Sequence, residues 1–311
     1  MRFKMVKHYT SFNIQKIHKE SIILIGNFDG LHLGHQKLFQ LAQSYKKKYN
    51  LKIGVINFDP MPKMFFNKKI KNFRLSNTDQ KIKLLSNLKV DFLITKKFDK
   101  KFSKTKALNF ITKILNKKLN SKFIFVSNNF RFGNKREGNV NLLKKYEKLY
   151  NYKVVKPEPL IKFKRIVSSS LIRNFLERGF LEKANKFLNR NWTIQGIVQK
   201  GRQVGKKIGF PTCNIDIQDY VLAKPGVYAV KVLKKNSTKY IKGIANLGYR
   251  PTFNQKKILL EVHLFNFSGN LYNKLLSVEF LKFIRAEKKF KNISQLKVQI
   301  KKDLDIAKKT K

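Results

Sequence analysis

The sequence predicts two domains of different class: an α/β domain on a parallel, doubly wound sheet, then a small antiparallel β-barrel with a terminal helix. Three observations carry this prediction. Up to about residue 185, continuous apolar runs alternate with amphipathic ones, the pattern of strands buried on both faces and joined by helices. Beyond it, short β segments follow one another at turn signals such as Lys224-Pro225-Gly226 and Ser268-Gly269-Asn270. Neither an internal repeat nor a Gly/Ser/Pro linker interrupts the 311 residues, so the domains are expected at 1–185 and 186–311.

The elements follow from these patterns. Ser21–Gly26 is an apolar run before a Gly-rich turn, and Gln36–Tyr49 is an amphipathic helix. Further strands are expected at Ile53–Phe58, Phe92–Thr95, Phe123–Ser127 and Tyr152–Val155, with helices near Gln80–Leu88, Ala107–Leu115 and Leu142–Leu149. In the second domain, Trp192–Gln199, Gly226–Leu233, Tyr240–Leu247, Ile258–Asn266 and Leu276–Ile284 read as β, and Ile293–Ala307 as the closing helix.

Composition excludes several classes. Hydrophobic residues at 42% and aromatics at 13% are too many for a disordered basic tail, despite a net charge of +51. A single cysteine, Cys213, excludes an intrachain disulfide and a cysteine-cluster zinc site, and fits a reducing compartment. The apolar run Ile22–Ile25 is too short for a signal-peptide core or a membrane span, so a soluble cytoplasmic protein is expected. The charge comes from 58 lysines against 11 arginines, spread as pairs and triplets such as Lys46-Lys47-Lys48. Sequence-specific nucleic-acid sites lean on arginine. Even lysine beside abundant Asn, Ile and Phe reads as drift in an AT-rich genome, and a selected polyanion surface is the alternative.

The densest chemistry lies at Gly26-Asn27-Phe28-Asp29-Gly30-Leu31-His32-Leu33-Gly34-His35-Gln36, where the first strand ends and a helix begins. Ligands of open α/β sheets lie beyond the carboxyl ends of the strands, and a helix N-terminus offers free N–H groups to phosphate. Gly34 admits a nucleotide close to the backbone, and His32 and His35 can both face developing phosphate charge. Two ordinary capping histidines are the alternative, but two of the chain's five histidines fall in this one turn. No third ligand nearby completes a zinc site.

This string is similar to the His-x-Gly-His signature of the nucleotidylyltransferase superfamily, which includes class I aminoacyl-tRNA synthetases. With Phe28-Asp29-Gly30 ahead and Gln36 behind, it resembles the bacterial bifunctional riboflavin kinase/FAD synthetase family. Asn57-Phe58-Asp59-Pro60 resembles the family's segment after the second strand. Asn129-Phe130-Arg131-Phe132-Gly133, with Arg136 and Gly138, resembles its flavin-side loop. Ser168-Ser169-Ser170-Leu171-Ile172-Arg173 resembles its second ATP motif. The resemblance implies a Rossmann-like nucleotidyltransferase domain in which Gly26, Phe28, Asp29, Gly34, Ser168, Ser169, Ser170 and Arg173 bind ATP. His32 and His35 would assist transfer, and Asn129, Phe130, Arg131 and Gly133 would bind flavin. Taken alone, the serines suit a helix cap that holds phosphate, and Phe130 and Phe132 suit either core or isoalloxazine stacking.

After residue 186, Gly201-Arg202-Gln203-Val204-Gly205-Lys206-Lys207-Ile208-Gly209-Phe210-Pro211-Thr212-Cys213-Asn214 is Gly-rich, basic and flanked by strands. Such a segment suits a flap over phosphates, with a plain basic loop as the alternative; it lacks the Gly-Lys-Ser/Thr ending of a Walker loop. Thr212 and Asn214, two apart on an extended segment, can ligate one hard cation. The stretch resembles the riboflavin kinase motif ending Gly-Phe-Pro-Thr-Ala-Asn, with Cys213 in place of alanine. Pro225–Tyr228, Asn246–Phe253, Glu261-Val262-His263, Leu271-Tyr272, Phe280 and Arg285-x-Glu287-x-x-Phe290 follow in family order. The resemblance implies an ATP site over Gly201, Gly205, Lys207, Gly209, Pro211, Thr212 and Asn214, with Mg²⁺ on Thr212 and Asn214, and Glu261 as base.

The resemblance runs from about residue 20 to about 308. Departures are Met61 for a common histidine, Asn128 for a common acidic residue, and Asn189 for a usual glycine. The expected function is two-step: riboflavin to FMN with ATP, then FMN with ATP to FAD and pyrophosphate. Riboflavin, FMN and ATP are the expected partners, with no membrane and no specific nucleic acid; a transient homo-oligomer is left open. The rivals are another adenylyltransferase or tRNA-charging relative, and a basic nucleic-acid binder.

Overall fold

The computed structural model describes residues 5–201, 209–217, 219–251 and 256–310. The chain divides into two compact units, Met1–Lys71 with Thr78–Ser168, and Asn72–Asn77 with Ser169–Lys311.

The first unit is built on a six-stranded, wholly parallel sheet. Its strands lie in the order Lys7–Tyr9, Phe92–Lys97, Ile53–Asp59, Ile22–Ile25, Phe123–Phe125, Lys153–Val155. Strands added after Ile22–Ile25 go first to one side and then to the other, so the order reverses between Ile22–Ile25 and Phe123–Phe125. Ligand crevices open at such a reversal. All four residues of Ile22–Ile25 are buried because apolar layers cover both faces: Phe39, Leu85 and Phe125 lie on one side, Phe110, Leu115 and Leu143 on the other. The helices Leu33–Tyr49 and Thr78–Asn87 are where periodicity predicts them, give or take a turn. The segment expected as Ala107–Leu115 is one α-turn, Ala107–Asn109, continued by a wider π-wound stretch, Phe110–Lys118. The edge strand Lys7–Tyr9 went unforeseen because its three residues carry no apolar run.

The second unit is a closed antiparallel barrel in the order Thr193–Gln199, Cys213–Asp216, Lys256–Leu264, Tyr240–Pro251, Gly226–Lys234, Leu275–Ala286. Its interior is filled by alternate residues, among them Ile215, Leu260, Val262, Leu247, Tyr228 and Phe280. The terminal helix Ile293–Lys309 is capped by Asn292, whose Oδ1 accepts from the Gln295 N–H at 2.9 Å. Arg285 clips it to the barrel through a forked pair with buried Asp303, at 3.0 and 2.9 Å from Nε and 2.8 Å from the terminal nitrogen.

Compactness divides the chain earlier than the change in strand character at residue 186. The helices Ser169–Glu177 and Leu181–Leu188 fold with the barrel, where Asn185 donates to the Phe280 carbonyl at 3.0 Å and accepts from the Trp192 N–H at 2.8 Å. The strap Asn72–Asn77 also belongs here, since Trp192 Nε1 donates to the Leu75 carbonyl at 3.2 Å and the Val221 N–H to the Arg74 carbonyl at 2.8 Å. Asn189 occupies the C-cap of Leu181–Leu188 at φ +57°; this left-handed conformation suits glycine best and asparagine next, which accounts for the departure seen in the sequence. No helix among the described residues is long and apolar enough to cross a membrane.

Candidate active sites

In the first unit, Gly26 ends the buried strand, and a tight turn over Asp29–Leu31 leads into the helix Leu33–Tyr49. The helix starts three residues earlier than its apolar pattern suggests, because His32 is its N-cap: the His32 Nδ1 accepts the His35 backbone N–H at 3.3 Å. That bond leaves His32 its Nε2 to carry the ring proton. The two imidazoles stack, with centroids 3.6 Å apart and planes inclined by 19°, and Phe28 packs edge-on against His35 at 5.2 Å. Burial holds the His35 imidazole well below its ordinary value of 6.5, and the charges of His32 and Lys81 push the same way. Asn27 Oδ1 and His35 Nδ1 are buried without a hydrogen-bond partner among the described residues. Native proteins leave few such atoms unpaired, and a bound ligand is one explanation for those that remain.

The other sequence candidates divide between the units. A Cβ on Gly34 would stand 3.2 Å from the Val167 carbonyl, so the chain just before Ser168 passes close to the histidine turn. Ser169, Ser170 and Arg173 belong to the second unit. There Arg173 is buried, its guanidinium 3.6 Å over the Phe73 ring, with Nε donating to the Phe73 carbonyl at 2.7 Å.

The loop after Phe123–Phe125 sits on the far side of the reversal point. Arg131–Phe132 pairs with Gly138–Asn139, and the Phe130 and Phe132 rings stack at 5.4 Å. Seven phenylalanines, including Phe58, Phe98, Phe102 and Phe130, line a cavity of about 290 Å³ with Arg131, Gly133 and Arg136 at its wall. An aromatic slot with cations beside it suits a flat, electron-poor ring carrying a phosphate.

In the barrel, Asn214, Glu261 and Asn246 are direct cross-strand partners on three neighbouring strands. Their row lies on the face opposite Ile215, Leu260, Val262, Ala245 and Leu247, whose side chains fill the core. Asn214 is buried, and its Oδ1 has no hydrogen-bond partner among the described residues; Gly201 lies against its amide. Thr212 is exposed, and His263 Nδ1 lies 2.8 Å from the Pro211 carbonyl. Gly209 adopts φ +91°, and no atom of the described residues lies within 4 Å of where a Cβ would stand. Gly205 and Lys207 lie outside the described residues. Burial pushes the Cys213 thiol up to about 11, so it stays protonated where the resemblance has alanine. No group of three or more His, Cys, Asp or Glu gathers to hold a metal among the described residues.

Comparison with known proteins matches these two regions separately. The FAD synthetase family model fits residues 14–171, and the riboflavin kinase model fits 188–311. A bifunctional riboflavin kinase/FMN adenylyltransferase of Buchnera aphidicola subsp. Schizaphis graminum is 42% identical, covering 96% of both chains. The protein of the same description from Escherichia coli K12 is 36% identical over 94% of this chain and 93% of its own. The chain belongs to the bifunctional riboflavin kinase/FMN adenylyltransferase family. Its two parts are an FAD synthetase domain and a riboflavin kinase domain, and the protein is an enzyme of FAD synthesis from riboflavin, with ATP, FMN and FAD as substrates and products. The fold agrees with a crystal structure described as a macrolide-efflux protein from Streptococcus pneumoniae, at TM-score 0.86 and 27% identity over 99% of this chain and 100% of that one.

Three side chains of this bifunctional enzyme stand out in the structure although sequence reasoning gave them no role. Asn246 and Asn57 sit inside recognised strings, so pairing register was the missing signal. Lys81 is one buried lysine among 58, and nothing in its spacing marks it.

Proposed function

We propose that the two reactions are divided between residues as follows. In the FAD synthetase domain, the triphosphate of ATP lies over the start of the helix Leu33–Tyr49. Gly26, Phe28, Asp29 and Gly34 shape its seat, and His32 and His35 donate to its oxygens. The resemblance assigns Ser168, Ser169, Ser170 and Arg173 to ATP binding as well. FMN enters with its ring in the phenylalanine cavity, against Asn129, Phe130, Arg131 and Gly133. A phosphate oxygen of FMN attacks the α-phosphorus of ATP; that P–O bond forms as the bond to the β-phosphate breaks, and pyrophosphate leaves. FMN brings the nucleophile, so the domain works by positioning and charge neutralisation.

In the riboflavin kinase domain, Glu261 takes the proton of the ribityl 5′-hydroxyl as its oxygen attacks the γ-phosphorus and ADP departs. Gly201, Gly209 and Pro211 belong to the ATP site, to which the resemblance also assigns Gly205 and Lys207. The orphaned Asn214 oxygen is the kind of hard donor Mg²⁺ takes, so Asn214 and Thr212 would hold that ion. Bound there, Mg²⁺ would neutralise phosphate charge. The same reading puts the reactions in the cytoplasm and calls for neither a membrane nor a specific nucleic acid.

The observation that carries the reading is the pairing of Asn214, Glu261 and Asn246 in one row of the barrel, matched by a histidine stack and an aromatic cavity flanking the reversal point of the sheet. The experiment supplies riboflavin and FMN separately to the purified chain with ATP and Mg²⁺, and follows FMN and FAD by chromatography. Two independent product peaks are expected, and the absence of any flavin product would refute the reading.

A further inference from the structure

The turn that carries Lys135 and Arg136 past the aromatic cavity runs against backbone preference. Lys135 stands at φ +48° and Arg136 at φ +62°, in a turn that Gly133 opens at φ +77°. Neither lysine nor arginine favours the left-handed region, which glycine and asparagine enter readily. Residues stay in such a conformation only where the surrounding structure holds them. Both of these residues line the cavity, as does Thr105.

The hold comes from residues 105–107, just ahead of the π-wound stretch. On one side of the strained pair, the Asn134 N–H donates to the Thr105 carbonyl at 2.8 Å. On the other, the Ala107 N–H donates to Glu137 Oε1 at 2.6 Å. Inside the turn, the Arg136 N–H reaches the Gly133 carbonyl and the Glu137 N–H the Asn134 carbonyl, both at 3.1 Å. The bond to Glu137 has a local reason. Ala107 opens a helical segment whose N-cap residue, Lys106, supplies no side-chain cap, so its N–H takes an acceptor from elsewhere. Of the two ties that bracket the pair, this is the one a side-chain substitution can remove. Glu137 itself does not line the cavity.

We propose that Glu137 is a positioning residue for FMN: its carboxylate fastens the turn to Ala107, so that the cations Lys135 and Arg136 are held at the cavity wall against the anionic flavin. This rests on the assignment of the phenylalanine cavity to the FMN of adenylyl transfer. Glu137 touches no substrate atom in this role; it acts through the turn. Its own charge works the other way, because a carboxylate near bound FMN repels the phosphate. Removing the charge alone therefore favours FMN, whereas removing the acceptor releases the turn and weakens FMN binding. The two effects have opposite signs, and substitutions at this one position separate them.

The test uses the full chain with saturating ATP and Mg²⁺, and measures KM for FMN and kcat in FAD formation. E137A has no acceptor and is expected to raise KM for FMN about tenfold, with kcat within about twofold of the wild type. E137Q keeps an oxygen for the Ala107 N–H, so its KM is expected to stay at or slightly below the wild-type value. A wild-type or lower KM in E137A overturns the inference, and so does an E137Q that raises KM as far as E137A does. Phe98→Ala is the reference. If it leaves KM for FMN unchanged, the cavity assignment fails and the inference with it. If it raises that KM while E137A does not, the assignment stands and the inference about Glu137 alone falls. If E137A loses kcat, or makes too little FAD to measure, E137D decides, since it keeps the charge but ends one methylene short of the Ala107 N–H. A raised KM at wild-type kcat then supports the inference, and a wild-type KM or a lost kcat overturns it.

Discussion

His32 and His35 lie ring on ring, centroids 3.6 Å apart, with the His32 Nδ1 spent on the His35 backbone N–H. One histidine therefore caps the helix while the other is pressed into an environment that disfavours its charged form. The consequence is a pH dependence with a definite sign. Folded His35 titrates well below 6.5, chiefly because it is buried, whereas the unfolded chain titrates near that ordinary value. Below about pH 6.5 the unfolded state takes up a proton that the folded state refuses, so stability is complete above that pH and is lost as pH falls toward the folded value. Thermal unfolding of the full chain at a series of pH values should show this slope, and H35Q should flatten it. An unchanged slope in H35Q would refute the assignment.

Gly133 offers a sharper structural test. It sits at φ +77° and ψ 174°, a region almost confined to glycine, and a Cβ would stand 2.7 Å from the Ala107 nitrogen. Gly133→Ala should destabilise the first unit by roughly 1–3 kcal/mol and raise KM for FMN, because Gly133 lines the aromatic cavity. Denaturant unfolding combined with FAD kinetics checks both. Wild-type values for both would show that the loop can re-form around a side chain.

How much of this was legible in the sequence depended on whether a signal was local. The strand Ile22–Ile25 and its glycine turn announce themselves through an apolar run followed by two histidines three apart, and the structure puts them at the reversal point. Ser168 to Arg173 read as one motif, yet the compact units part between Ser168 and Ser169, a property of packing that no string records. Cys213–Asp216 was hidden because Gly209 and Pro211 just before it advertise a loop; only its pairing with Lys256–Leu264 makes it a strand. Lys81 could not be picked out for a related reason. Its bond to Asn57, on a strand earlier in the chain, is visible only in the fold.

The aromatic cavity makes a prediction about selectivity between the two reactions. Phe98 packs against Phe58, Phe65, Phe66 and Phe102 at ring distances of 5.2 to 5.9 Å and lines the cavity. Phe98→Ala should raise KM for FMN in adenylyl transfer about tenfold, equivalent to about 1.4 kcal/mol of lost stacking and burial. Riboflavin phosphorylation should be untouched. Steady-state kinetics with each flavin supplied separately measures both, and an equal loss in the two reactions would mean the cavity serves neither flavin specifically.

The barrel row yields the complementary case. Glu261 is flanked across the sheet by Asn214 and Asn246. Removing the carboxylate in Glu261→Gln should slow FMN formation roughly 10²–10⁴-fold, the range for a general base, while FAD formation from supplied FMN continues. Asn246→Ala should slow FMN formation by a smaller factor, about tenfold, since in this geometry it orients a neighbour rather than receiving the proton. If Asn246 works through Glu261, the two losses will not multiply: with the carboxylate gone, removing Asn246 should change the residual rate little. The double variant decides. A loss equal to the product of the single losses would make Asn246 an independent contributor to kinase catalysis rather than a support for the base.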